Sequence, residues 1–259
     1  MRELRMTLIA LGAALGLPLA ASIAVALGAP SATPNRLLLV AATWGALGLL
    51  LAYLFLPGFD LLPGRIARRV PGRRVALTID DGPHPKSTPA LLEALARFDV
   101  RATFFLVGEA VERWPDLARQ IALSGHAIGN HTQRHRLLPF RTAGEVESEI
   151  AACQRALAAI VPSVEVRWFR PPHGFKPIAL GRLLRRHRLR MAAWQGAIRD
   201  TDAPGVEAIT ARAIALARPG RILLLHDNPS CRGQTAAALP AIISRYRALG
   251  LEFAPLDGA

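Results

Sequence analysis

From about residue 74 onward the chain alternates between two rhythms. Short apolar or every-second-residue runs read as strands: 74–80 (RVALTID), 102–108 (ATFFLVG), 126–130 (HAIGN), 167–170 (RWFR), 190–194 (RMAAW), 221–227 (RILLLHD) and 251–256 (LEFAPL). Between them, apolar residues three and four apart predict helices over 88–98, 109–124, 143–160, 178–188, 206–218 and 234–249. Ser87 and Thr142 stand where helix N-caps belong, and Gly125, Gly220 and Gly250 where a helix stops before a strand. Seven strands alternating with six helices argue for a parallel α/β sheet. Their even spacing favours a distorted (β/α)7-type barrel over a doubly wound sheet, with this domain covering 74–259.

The first quarter of the chain is patterned differently. Residues 7–28 and 37–57 contain no charged side chain. At 1.5 Å rise per residue each is long enough to cross a hydrocarbon core of about 30 Å. The expectation is an anchor over 1–57 with two transmembrane helices joined by APSATPNR, then a basic linker over 58–73. A cleaved signal peptide is the other reading of the first stretch, and a buried core helix of the second. Arg2 and Arg5 precede the first stretch and only Arg36 lies between the two, whereas Arg65, Arg68, Arg69, Arg73 and Arg74 follow the second. The positive-inside rule then places both ends on the cytoplasmic side of a bacterial-type plasma (inner) membrane, a periplasmic domain being the alternative.

Charge changes the picture further. The 259 residues carry a net charge of +13, almost all from arginine. RLLRRHRLR, 182–190, reads as a solvated helix face or as a surface drawn to anionic lipid headgroups or a phosphate-bearing substrate. Nucleic acid is not an expected partner, since no basic platform interleaved with aromatics is present. The two cysteines, Cys153 and Cys231, form neither a metal pair nor a disulfide framework.

Polar residues gather at the strand ends. Asp80 and Asp81 close the first strand, Asn130 and His131 follow the third, Arg170 ends the fourth, and His226 and Asp227 end the sixth. In a βα barrel those ends converge on one rim. His131 and His135, four apart in HTQRH, would point the same way on a helical turn. With a carboxylate they make a donor set for a Zn²⁺-like ion that keeps one position open. Adjacent aspartates then divide the labour, one ligating the cation while its neighbour takes a proton from water, and the cation offsets their repulsion. Read without a metal, the pair is an Asx-type turn before Gly82-Pro83.

Five motifs in order over residues 75–256 are similar to those of the polysaccharide deacetylase family (NodB homology domain, carbohydrate esterase family 4). TIDDGP, 78–83, resembles the first and implies Asp80 as base and Asp81 as metal ligand; HTQRH resembles the second and implies His131 and His135 as ligands. RWFRPPHG, 167–174, resembles the third, implying that Arg170 orients the base and that the His173 backbone N–H donates to an oxyanion. ILLLHD, 222–227, resembles the fifth, with His226 as general acid and Leu224 as a wall of the acyl pocket. In the fourth, WQGAIRDTD keeps Trp194 and Asp200, the latter implied to hold His226 protonated, but Ala197 and Thr201 stand where the family has an acid and a second Trp.

The resemblance implies a divalent-metal hydrolase that removes N-acetyl or formyl groups from an amino sugar in a glycan. A cytoplasm-facing, arginine-rich domain beside a bilayer suggests a polyprenyl-linked saccharide, and an outward-facing one peptidoglycan or an exported polysaccharide. Zinc suits the ligands, with cobalt, nickel and manganese as alternatives. The altered fourth motif supports a second expectation, an inactive membrane-tethered glycan-binding protein.

Overall fold

The computed structural model describes residues 22, 34–56, 66–196, 198–231 and 233–256. The expected first span, 7–28, lies outside the described residues apart from Ser22, and so does Ala197. The second corresponds to α1 (Pro34–Phe55). Counted over its described side chains α1 is not long and apolar enough to cross a membrane, nor is any other described helix. The two-span anchor is therefore not shown.

The strands are β1 (Ile66–Ala67), β2 (Arg74–Asp80), β3 (Thr103–Leu106), β4 (Ala127–Asn130), β5 (Trp168–Phe169), β6 (Arg190–Ala192), β7 (Ile222–His226) and β8 (Glu252–Phe253). They pair in parallel in the order β1-β6-β5-β4-β3-β2-β7, with β8 laid on the start of β2. The result is a curled, incompletely closed parallel barrel. Seven strands form the path, as expected, but their membership differs. β1 comes from the segment expected to be linker, where Ile66 and Ala67 pair with Met191 and Ala192, while 251–256 contributes only the short β8.

The helices are α2 (Thr88–Arg97), α3 (Gly108–Arg113), α4 (Pro115–Leu123), α5 (Ala143–Ile160), α6 (Leu180–Arg186), α7 (Val206–Ala215) and α8 (Gln234–Ala248). The single helix expected over 109–124 is two, because Pro115 lacks the N–H that would continue α3 and instead starts α4. Thr142 does cap α5, in a reciprocal capping box with Glu145. Ser87 makes no capping bond to α2; its hydroxyl turns to Asp227. Part of the basic run 182–190 is likewise paired, Arg186 with Glu147 of α5 at 2.8 Å.

Strand alternation sorts the core into two layers. Val75, Leu77 and Ile79 of β2, Phe104 and Leu106 of β3, and Leu223 and Leu225 of β7 face the helices. Ala76, Phe105, Trp168, Ala192 and Ile222 face inward. Because side chains alternate with period two, Thr78 and Asp80 share the inner face with Ala76. The interior is tight: a Cβ on Gly129 of β4 would stand 2.4 Å from the Phe105 ring. Small residues here leave room for one large polar side chain, that of Arg170.

Candidate active site

The C-terminal strand ends surround an open cleft of about 740 Å³ lined by Asp80, Asp81, His131, His135, His173, Trp194, Leu224 and His226, among others. Arg170 and Asp200 lie fully buried behind its wall. The ten residues expected at the site are thus brought to one place.

β2 ends on Asp80, which faces inward. Arg170 Nη1 donates to Asp80 Oδ1 and to Thr78 Oγ1, each at 2.7 Å, and Nε donates to the Ala192 carbonyl at 3.2 Å. The guanidinium also lies over the Phe105 ring, 4.2 Å from its centre. Burial works against the charge of Arg170 and lowers its pKa, while Asp80 opposes that shift. Since Arg170 occupies Oδ1, the other oxygen of Asp80 faces the cleft.

Asp81 follows in a positive-φ conformation (78°) that turns its side chain away from the strand face used by Asp80. The next residue must be small, because a Cβ on Gly82 would stand 2.3 Å from Asp227 Oδ2. His131 and His135 are joined by a loop and not by the expected helical turn; Thr132 and His135 both have positive φ, 67° and 52°. Thr132 N–H on Asn130 Oδ1 and His135 N–H on Thr132 Oγ1 hold that loop. It still brings the imidazole centres within 4.9 Å.

Ligand-type atoms of Asp81, His131 and His135 all lie within 4.8 Å of one another. His131 Nε2 and His135 Nε2 are 3.5 and 3.2 Å from Asp81 Oδ1. Two donors about 2.05 Å from a tetrahedral ion stand about 3.3 Å apart, so these separations suit a zinc-sized cation. His131 Nδ1 is 2.7 Å from the Arg170 carbonyl, which can only accept, so Nδ1 carries the hydrogen and Nε2 keeps its lone pair for a ligand bond. Burial works against ionised Asp81, but the two histidines outweigh it and hold the carboxyl far below the usual range.

Across the cleft, His226 Nδ1 is 2.8 Å from Asp200 Oδ1, and its backbone N–H donates to Oδ2 at 2.8 Å. Thr235 also donates to Oδ2, at 2.9 Å. Burial disfavours the imidazolium, but the hydrogen bond and charge of Asp200 prevail and raise the His226 pKa to about 9. The raised value keeps the His226 imidazole protonated at neutral pH. On the loop after β5, the N–H groups of Gly174 and Phe175 are taken by Pro171 and Pro172 carbonyls. No such backbone bond is made by His173 N–H among the described residues, so it remains available as a donor.

Two contributors, Asn228 and Thr78, were not expected from the sequence, and Asp227, expected at its strand end, has partners that were not. Asn228 Nδ2 donates to Asp81 Oδ2 at 3.1 Å. Thr78 holds Arg170 from below, which its shared strand face with Asp80 could have signalled. Asp227 accepts from Ser87 and Thr88 at the start of α2, each at 2.5 Å, and burial raises its pKa to about 6.

Fold and site together set an arginine-paired carboxylate, a carboxylate-paired histidine and three ligand-type atoms around one cleft of a curled parallel α/β sheet. The comparisons narrow this. The polysaccharide deacetylase family model matches residues 67–192. A chitooligosaccharide deacetylase of Azorhizobium caulinodans is 37% identical over 193 residues, covering 70% of this chain and 92% of the relative. A peptidoglycan-N-acetylglucosamine deacetylase of Bacillus cereus is 34% identical over 194 residues, covering 73% and 90%. The crystal structure of a peptidoglycan N-acetylglucosamine deacetylase superposes with a TM-score of 0.72 at 29% identity, covering 75% of this chain and 92% of that one. A CE4 family pseudoenzyme from Bacillus anthracis superposes at 0.70 with 26% identity, covering 77% and 69%. The chain belongs to the polysaccharide deacetylase family and is a sugar N-deacetylase, a hydrolase of carbon–nitrogen bonds other than peptide bonds.

Proposed function

We propose that the protein removes N-acetyl (or formyl) groups from an amino sugar within a glycan, using a divalent ion, zinc by preference, held by Asp81, His131 and His135. One observation carries this reading: the free oxygen of Asp80, the three ligand atoms and His226 line the same cleft. The ion, when bound, polarises the amide carbonyl and lowers the pKa of a water. Asp80, oriented by Arg170, would accept the proton of an attacking water. The His173 N–H donates to the carbonyl oxygen as negative charge develops there. His226 protonates the departing amine, with Asp200 fixing its ring and charge. Leu224 and Trp194 bound the space for the acyl group. Thr201 also lines the cleft, so the missing second Trp widens the pocket and removes no reacting group.

The test uses the full-length protein on an N-acetylated chitooligosaccharide, followed by acetate release. Chelation should abolish release and zinc restore it, and Asp80→Asn should be inactive. Release indifferent to chelation, or undiminished in Asp80→Asn, would overturn the reading. Glycan binding without turnover under zinc, cobalt, nickel and manganese alike would instead support the inactive binding protein.

The uncharged sequence 37–57 with arginines after it supports placement at a plasma membrane, with the catalytic domain on the cytoplasmic side and a polyprenyl-linked sugar as substrate. A topology reporter fused after Ala259 tests this, and a periplasmic signal would reverse it.

A further inference from the structure

The end of α1 is fastened to the catalytic domain by a lysine that no step above uses. Lys176 is 1% exposed, and a buried ammonium is tolerated only where acceptors surround it. Its Nζ donates to the Leu56 carbonyl and its backbone N–H to the Leu54 carbonyl at 2.8 Å. Nζ also lies 5.3 Å from the centre of the Tyr53 ring. Leu54 is in the last turn of α1 and Leu56 directly follows it, where no intrahelical partner remains and the helix dipole favours a cation.

Beside this clamp, Phe55 packs edge-on against Phe175, ring centres 5.1 Å apart, and stands 6.2 Å from Phe140. Phe140 follows β4 on the loop that carries His135; Phe175 follows β5 on the loop that carries His173. Phe55 thus sits between the two loops. The His173 ring is 6.1 Å from Phe175 and 5.0 Å from His135, so contact runs without a gap from α1 to the cation site. His173 itself has φ 57°, a conformation that its surroundings must hold.

We propose that Lys176 is a positioning residue. By clamping the end of α1 it keeps Phe55 wedged between the two loops and sets where the His173 N–H meets the reacting carbonyl relative to the metal ligands. On this account α1 is a working part of the catalytic unit and not only a tether. The inference rests on the deacetylase reading with His173 as oxyanion donor.

The experiment compares full-length wild type, Lys176→Met, Lys176→Arg, Phe55→Ala and Tyr246→Phe. Zinc per chain, unfolding temperature, kcat and KM are measured on the same chitooligosaccharide. Tyr246→Phe removes a buried hydrogen bond to Ala213 far from the cleft and serves as a destabilised control. Removing an oxyanion donor outright costs about 10²–10³ in kcat, so a displaced one should cost about tenfold. Lys176→Met and Phe55→Ala should show that loss per bound zinc with KM within about twofold, because the donor acts on the transition state. Lys176→Arg, which keeps the cation, should recover part of it, and the control should lose stability without losing kcat.

Should Lys176→Met not fold, Phe55→Ala decides, since it alters no charge. A kcat per bound zinc within twofold of wild type in the folded variants overturns the inference and leaves the deacetylase reading standing. So does a loss that merely follows zinc content. No acetate release by the zinc-loaded wild type overturns both.

Discussion

The two sides of the cleft use one device with the signs exchanged. On one side a carboxylate at the cleft, Asp80, is faced by a buried cation, Arg170; on the other a histidine at the cleft, His226, is faced by a buried carboxylate, Asp200. In each pair the buried partner is tied down by further bonds, Arg170 to Thr78 and Ala192 and Asp200 to Thr235. In each the other partner lines the cleft. The pairs differ in how much water reaches them. The first is nearly dry, whereas His226 is partly exposed. The dry pair must stand or fall as a unit, while the wetter one can lose its partner and titrate.

Breaking the dry pair should have the largest effect. Asp80→Asn removes the base and should lower kcat about 10³-fold. It also leaves a buried guanidinium without its counterion, costing about 3 kcal/mol in chemical denaturation. Zinc per chain should stay unchanged, which separates base from ligand; His131→Ala should instead lose bound zinc.

Breaking the wetter pair should move a pH profile. In wild type the rate should fall as pH rises through about 9, the value to which Asp200 raises the His226 pKa. In Asp200→Asn that alkaline limb should move down toward the ordinary histidine value of about 6.5, with kcat at neutral pH falling about 10²-fold. Stability follows the same sign. His226 has its pKa raised on folding, so its contribution is complete below about 6.5 and lost as pH climbs through about 9. Unfolding temperature should therefore drop over that window in wild type and much less in Asp200→Asn.

Thr235→Val should show the smallest change. It removes one of the bonds that hold Asp200, costing about 1 kcal/mol of stability and less than tenfold in kcat. The alkaline limb should shift downward by less than in Asp200→Asn. An unshifted limb in Asp200→Asn would show that the two sides do not share a design.

Much of this site was legible before any coordinates. Asp80 and His226 end strands whose apolar runs are plain, Arg170 follows a strand of two aromatics, and parallel strands bring such ends to one rim. The missed features have two causes, a partner distant in sequence or a local side-chain bond that spacing does not reveal. β1 is two residues within an arginine-rich stretch and becomes a strand only because β6 offers an edge. His131 and His135 read as a helical pair from spacing alone, but Asn130 and Thr132 bond the loop into another shape. Asn228 carries no motif and acquires meaning only by standing beside Asp81.

By itself the amino-acid order determined the alternation of strands and helices, the family and which polar residues stand at the strand ends, because periodicity and short motifs are local properties of a chain. Tertiary structure alone decided which oxygen of Asp80 stays free, which nitrogen of His131 keeps its lone pair, and what holds the end of α1. Those outcomes depend on distances of a few ångströms between residues up to 120 positions apart, as Leu56 and Lys176 are, and short-range pattern carries no record of them.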